Sequence, residues 1–411
     1  MSKIKNFFAL PFFDQKKYPI LLWLFLAVAT AVKLYFTFDK TKYNNYLIYK
    51  NVYFNTINQV SLYTENANLY FDSNHYGPLF SILIAPFALL PDGFGMVFWN
   101  VFNAAFLIWA VSKLPLHQSK ITLILWLCAH ELLTSLLGTQ FNPLMTSIII
   151  LSFVFIYNKN EFWAAFFIVL GTYIKLYGIV GLAFFFFSKN KLRFIAALFL
   201  WAVLLFVLPM AISSPEFIVK SYAEWFASLV HKNDLNSSLT SMQDISVMGM
   251  FRRVLHNPNL SNLPFLVVGL LIFGLPYLRF KLYSNLKFQL LLLSSVLIFT
   301  VIFSSGSESP TYIIAFLGVA IWFVIQKKPL TNLNLFLLIF ALILTSLSPS
   351  DLIPKYIRVH FIRPYALKAL PCVLIWIKIV HEMLVMKNNQ VINLNKNDGD
   401  DKKNISCNSL F

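Results

Sequence analysis

The sequence predicts an all-α, polytopic membrane protein of about twelve transmembrane helices with two large extracytoplasmic loops. Composition is the first reason: 58% of the 411 residues are hydrophobic and 12% are charged, whereas a soluble domain carries about 25% charged residues. Water is therefore not the main solvent of this surface. Segment length is the second. Residues 19–38, 194–212 and 287–303 are runs with almost no charge, long enough to cross a hydrocarbon core of about 30 Å as helix. A helix satisfies its own backbone groups, which lipid cannot do. The third is the placement of cations. A net charge of +16 would point to nucleic acid in a soluble chain, but the lysines and arginines lie mainly in short loops and at the termini, which is a topology signal.

Along the chain, the first apolar segment follows Lys3, Lys5, Lys16 and Lys17 and imitates a signal peptide, but it is long and lacks a small-residue cleavage site at 36–40. It is expected to be a retained first helix. Basic stretches at Lys189/Lys191/Arg193, Arg279/Lys281/Lys287, Lys327/Lys328 and both termini mark the cytoplasmic side. Residues 39–77 and 213–262 then become the long outside connections, and 304–310 and 349–364 the short ones. Residues 78–114 fit either two crossings or one crossing plus a re-entrant hairpin. Residues 161–187 fit one long helix or two short ones meeting near Lys175. Keeping Lys113, Lys120 and Lys159 inside selects the hairpin and the pair. Residues 1–386 form the membrane domain, and 387–411, rich in Asn, Lys and Asp, a disordered cytoplasmic tail. Cys128, Cys372 and Cys407 are too scattered for a disulfide framework or a metal knuckle. No internal repeat is apparent, which disfavours transporters built from paired halves.

The first outside loop holds Tyr43, Asn44, Asn45, Tyr46 and Tyr49, then Asp72, Ser73, Asn74, His75 and Tyr76. Tyrosines gather at headgroup level in any membrane protein, and carbohydrate sites share this aromatic, amide-rich composition; both readings stand. Asp72 and His75, three residues apart before a helix, either cap it or exchange a proton. Within apolar sequence, His130, Glu131 and Lys175 need partners or a cavity. One reading pairs Glu131 with Lys175; the other gives Lys175 to a phosphate and leaves Glu131 to position it. Arg252 and Arg253 offer adjacent forked donors to a phosphate or to lipid headgroups. Glu308 enters a helix beside Ser309 and Thr311, which can cap it; one carboxylate facing a cavity suffices as a general base. The chain has no phosphate-binding glycine loop, serine elbow or metal-ligand cluster, which argues against soluble-style nucleotide chemistry.

At these residues the chain resembles glycosyltransferase family 87, polytopic enzymes of the GT-C class that use polyprenyl-phosphate sugars. Asn44-Asn45-Tyr46-Leu47-Ile48-Tyr49 is similar to the family's Asn-Asp-Phe-x-Val-Tyr, and Leu62-Tyr63 to its Leu-Tyr. Tyr76-Gly77-Pro78-Leu79-Phe80, Pro86 to Pro91 and Trp99 to Asn103 resemble its Tyr-Pro-Pro-Phe, Pro-Leu-x-Leu-Leu-Pro and Leu-Trp-x-x-x-Asn run. Gly138-Thr139-Gln140-Phe141-Asn142 and Gly171 to Tyr177 are similar to its Gly-Gln-x-Asn and Gly-x-x-x-x-Lys-x-x-Pro pair. Ser246 to Arg253 resembles the Asn-x-Ser-x-x-Gly-x-x-x-Arg segment of its second large loop.

The resemblance implies transfer of a hexose, mannose in well-studied members, from a polyprenyl-phosphate donor to a glycan or lipid acceptor. Transfer would occur with inversion on the outer face of the cytoplasmic membrane, without nucleotide sugar, cofactor or metal. It makes Asp72, Glu308, Asn45 and His75 the catalytic candidates, and Lys175, Arg252 and Arg253 the donor-phosphate ligands. Tyr46, Tyr49, Tyr76, Gln140, Asn142 and Glu131 are the substrate-binding candidates. One position departs from the pattern. The family's loop aspartate, its candidate base, falls on Asn45, and an amide cannot take a proton from a hydroxyl at neutral pH. Asp72 ranks first as its replacement, Glu308 second and the deeper Glu131 third. Two other classes compete: a transporter or flippase for an anionic lipid-linked sugar, which the long outside loops disfavour, and a catalytically impaired lipid-binding homologue, which Asn45 favours.

Overall fold

The computed structural model describes residues 15–387, which form helices joined by turns with no strand among them. Of the expected tail, all but Lys387 lies outside the described residues, as do Lys3 and Lys5. In chain order, α1 (Lys17–Tyr35) is followed by α2 (Asn44–Ile57), α3 (Phe80–Ala88), α4 (Asp92–Ser112), α5 (Gln118–Leu137), α6 (Asn142–Tyr157) and α7 (Glu161–Ile174). A 3₁₀ segment, Leu176–Phe187, leads to α8 (Lys191–Val207), α9 (Pro215–Asn236), α10 (Val247–Val254), α11 (Leu263–Gly274), α12 (Leu286–Ile302), α13 (Tyr312–Val324), α14 (Asn332–Phe340) and α15 (Leu370–Val385).

Four helices, α1, α4, α5 and α8 with its continuation to Ala211, are long and apolar enough to cross a bilayer. Seven shorter apolar segments accompany them among the described residues. The burial pattern matches a lipid solvent. The central helices α6, α12 and α13 are buried over nearly their whole length, while α8 and α11 turn Leu192 (81% exposed), Phe199 (73%) and Leu271 (67%) outward. In water such a surface would aggregate; in a membrane it faces its solvent. The chain is a polytopic membrane protein.

Helix starts at the basic-loop end are capped by short polar side chains, which take up open amides. Asn160, Asn190, Asn285 and Thr331 accept from the backbone amides of Trp163, Arg193, Phe288 and Asn334. Two ambiguous regions resolve at the other end. The nine residues of α3 span about 14 Å, too little to cross, so 78–114 is a short arm turned back into the full-length α4. Tyr46 Oη donates to the Phe87 carbonyl at 3.0 Å and ties that arm to α2.

Residues 161–187 form two arms meeting at Lys175. Backbone angles there are extended (φ −147°, ψ 122°), which ends α7. The returning arm brings Ser188 Oγ and the Asn190 amide to Glu161 Oε1, at 3.0 and 3.2 Å. Its buried residues, Gly178, Gly181, Phe184 and Phe187, recur every three positions, one face of a helix with about 3.0 residues per turn. Glycine permits the contact between the arms: a Cβ on Gly178 would overlap the Gly171 backbone. Gly178→Ala should therefore cost about 1–3 kcal/mol by overpacking, read as a lower melting temperature of the detergent-solubilised protein. An unchanged melting temperature would remove this account of the hairpin.

Candidate active site

At the end of the bundle that carries Lys175, a cavity of about 550 Å³ opens between the first long loop, the second long loop and the 304–308 turn. Local backbone features shape it. Thr139 has φ 48°, a costly left-handed conformation for a β-branched residue. The Trp99 indole holds it by donating to the Thr139 carbonyl at 2.9 Å. This kink between α5 and α6 presents Gln140 to the cavity while Asn142 starts α6 behind it. Asp72, also left-handed at φ 71°, belongs to a residue type that tolerates that region. The second loop packs α9 over the opening: Trp225 donates to the His75 carbonyl at 2.9 Å, and Ser228 Oγ lies 3.3 Å from His75 Nδ1.

Four side chains form a chain of contacts across the cavity floor. Gln140 Nε2 donates to Glu308 Oε1 at 2.8 Å, Asn142 Nδ2 points to Gln140 Oε1 at 3.5 Å, and Lys175 Nζ donates to Asn142 Oδ1 at 2.9 Å. The Lys175 ammonium also sits 4.6 Å from the centre of the Tyr177 ring. A carboxylate and an ammonium are thus fixed by one pair of amides on one kink. Glu308 makes no ion pair among the described residues. Burial raises its carboxyl above the ordinary value, opposed by the charges of Lys175 and Lys232 and by the Gln140 hydrogen bond.

The cavity brings together Asn45, Tyr49, Asp72, His75, Tyr76, Gln140, Lys175 and Glu308. Asn45 Nδ2 donates to the Gly138 carbonyl at 2.8 Å. Tyr49 and Tyr76 share a hydroxyl contact at 3.0 Å. Asp72 is engaged: Lys232 Nζ lies 2.8 Å from its Oδ2, and His75 Nε2 lies 3.5 Å from its Oδ1. Burial pulls the Asp72 carboxyl upward, but bonds from His75, Lys232 and the Ser73 amide outweigh it and hold it well below the usual carboxylate range. So held, it is a poor base.

Other candidates stand elsewhere, and each has a physical reason. Glu131 is fully buried and pairs with Lys368 at 3.0 Å, not with Lys175; a buried carboxylate with an ammonium beside it is already satisfied and does not line the cavity. Tyr46 is fully buried, its hydroxyl spent on α3. Asn142 touches Lys175 from behind. Arg252 pairs with Asp244 at 2.5 Å and also bonds Leu260 O and Asn262 Oδ1. Arg253 donates to the carbonyls of Asp244, Gln243 and Ser241 at 2.8, 2.8 and 3.0 Å. Neither guanidinium reaches the cavity. Both brace the 241–245 strand-like stretch, which in turn supports the 304–308 turn through Asp244 N to Ser305 O (3.1 Å) and Ile245 N to Ser307 O (2.9 Å). The sequence reading missed Lys232, Asn233 and Tyr177, which line the cavity. Lys232 carries little sequence signal, because a lysine on a polar helix ordinarily means solvent.

The fold and the cavity define a multi-pass membrane protein with a polar site of carboxylate, ammonium and aromatic groups at one end of its bundle. The model of glycosyltransferase family 87 matches residues 74–305, more than half of the chain, and the chain belongs to that family. It is therefore a membrane glycosyltransferase, with donor and acceptor substrates. No curated protein and no solved structure matches it.

Proposed function

We propose that this protein transfers a hexose, mannose, from a polyprenyl-phosphate donor to a hydroxyl of a glycan or lipid acceptor, with inversion, on the outer face of the cytoplasmic membrane. The observation that carries the reading is the Glu308–Gln140–Asn142–Lys175 chain, which holds a carboxylate and an ammonium in one cavity. Glu308 takes the proton of the acceptor hydroxyl, whose oxygen attacks the anomeric carbon from the face opposite the phosphate. The bond from that carbon to the phosphate oxygen breaks, and polyprenyl phosphate leaves with the electron pair, its charge stabilised by Lys175 and Lys232. Tyr49, Tyr76 and Tyr177 supply ring surface for the sugar. The opposite end of the bundle carries the short basic loops, which supports an extracytoplasmic cavity. Asn45 cannot act as a base, and Glu308 fills that role in its place.

The test uses purified protein and a synthetic polyprenyl-phosphate mannose, with transfer and slow donor hydrolysis as readouts. Asn45→Ala should keep most of the rate. Asp72→Asn should mainly raise KM, by a few-fold, because its charge orients Lys232 and takes no proton. A loss of kcat in Asp72→Asn as large as that in Glu308→Gln would return the base to Asp72. Failure of any polyprenyl-phosphate hexose to bind would overturn the donor assignment.

A further inference from the structure

Behind the turn that carries Glu308, a second hollow of about 100 Å³ opens between the second long loop and the 349–368 segment. Arg253, Arg358, Arg363 and Lys368 line it with Ser309 and Ser348, and no carboxylate does. Two acids stand outside it. Glu131 takes Lys368 at 3.0 Å, and Asp351, 99% exposed, takes Arg358 at 2.9 Å. The nearby Asp244 is taken by Arg252. Arg253 spends its guanidinium on the carbonyls of Ser241, Gln243 and Asp244, whereas Arg363 has no ion-pair partner among the described residues and Arg358 Nε is buried without a hydrogen-bond partner. The unpaired Arg363 and the open Arg358 Nε therefore face one small hollow with donors and positive charge left over, which an anion there would take up.

We propose that this hollow binds the phosphate of an anionic membrane lipid, at a site separate from the donor cavity. Guanidinium forks match phosphate oxygens. The rim points to a lipid as the source. Residues 355–368 contain Lys355, Arg358, Arg363 and Lys368 and no acid. The same stretch and its approach expose Leu352 (70%), Tyr356 (65%) and Phe361 (52%). Cations beside outward apolar rings, at the ends of apolar helices, describe a segment lying at headgroup depth. Lys368 Nζ also donates to Ser309 Oγ at 3.1 Å, next to Glu308, so the hollow and the cavity share a wall. The proposal does not depend on the identity of the transferred sugar.

The full chain, delipidated in detergent, is titrated with dioctanoyl phosphatidylglycerol, with dioctanoyl phosphatidylcholine and inorganic phosphate as comparison probes. Retained lipid is read by native mass spectrometry and stabilisation by melting temperature. Phosphatidylglycerol should bind and stabilise. Arg363→Gln and Arg358→Gln should each weaken it about tenfold, the loss of one charge-assisted hydrogen bond, while Lys232→Gln, in the donor cavity, leaves it unchanged. Arg363 is exposed and makes no ion pair among the described residues, so its variant decides the question if Arg358→Gln fails to fold. Undiminished binding in Arg363→Gln overturns the site. Binding lost in Lys232→Gln instead places the lipid in the donor cavity and overturns it too. Equal stabilisation by inorganic phosphate overturns the lipid source.

Discussion

Glu308→Gln should lower turnover of a polyprenyl-phosphate hexose by roughly 100- to 10,000-fold, the span of a lost general base. KM should stay near its starting value, because a glutamine carbonyl still accepts from Gln140 and the amide pair that holds Lys175 is preserved. The pH profile provides a second readout. Burial raises the Glu308 carboxyl, and although Lys175 and Lys232 pull it back, the net shift is upward. The base works as the carboxylate, so the rate falls as pH drops through that raised value, and the acid limb lies above the pH expected of an exposed glutamate. The residual rate of Glu308→Gln should lack this limb. A variant that kept either the full rate or the limb would exclude Glu308 from the proton transfer.

Glu131→Leu should destabilise the protein by about 3–5 kcal/mol, as should Lys368→Met, because each leaves an uncompensated charge in a site closed to solvent. Glu131 has no exposed surface and the Lys368 side chain is 4% exposed. The double variant Glu131→Leu with Lys368→Met removes both charges and should recover most of the loss. Unfolding of the solubilised protein, followed thermally or by denaturant, measures the cycle. Additive effects of the two single changes would mean that the groups are not coupled as the 3.0 Å contact requires.

Apolar run length and loop charge made the membrane class and the element order readable. The caps Asn160, Asn190 and Asn285, which accept from open backbone amides at three helix starts, were not read from the sequence. The break at Lys175 was readable because keeping Lys159 on the cytoplasmic side leaves 161–187 as two short arms. Partner choice was not. Glu131 could be seen to need a cation, but Lys368 lies 237 positions away, and no periodicity connects them. Arg252 and Arg253 carry the right chemistry for phosphate, and only the packing shows that carbonyls and Asp244 already occupy their donors. Lys232 escaped for the converse reason, since its helix looks like ordinary polar surface until α9 is laid over the cavity.

The returning arm at Leu176–Phe187 also sets a length. Its twelve residues, wound as a 3₁₀ helix, rise about 24 Å, whereas the same chain as an α-helix would rise only about 18 Å. The difference, about 6 Å, is the extra length that 3₁₀ winding gives the arm over an α-helix of the same twelve residues. A tighter winding therefore carries the chain farther along the hairpin without adding a residue. Relaxed into an α-helix, the same twelve residues would end about 6 Å short of the level they now reach.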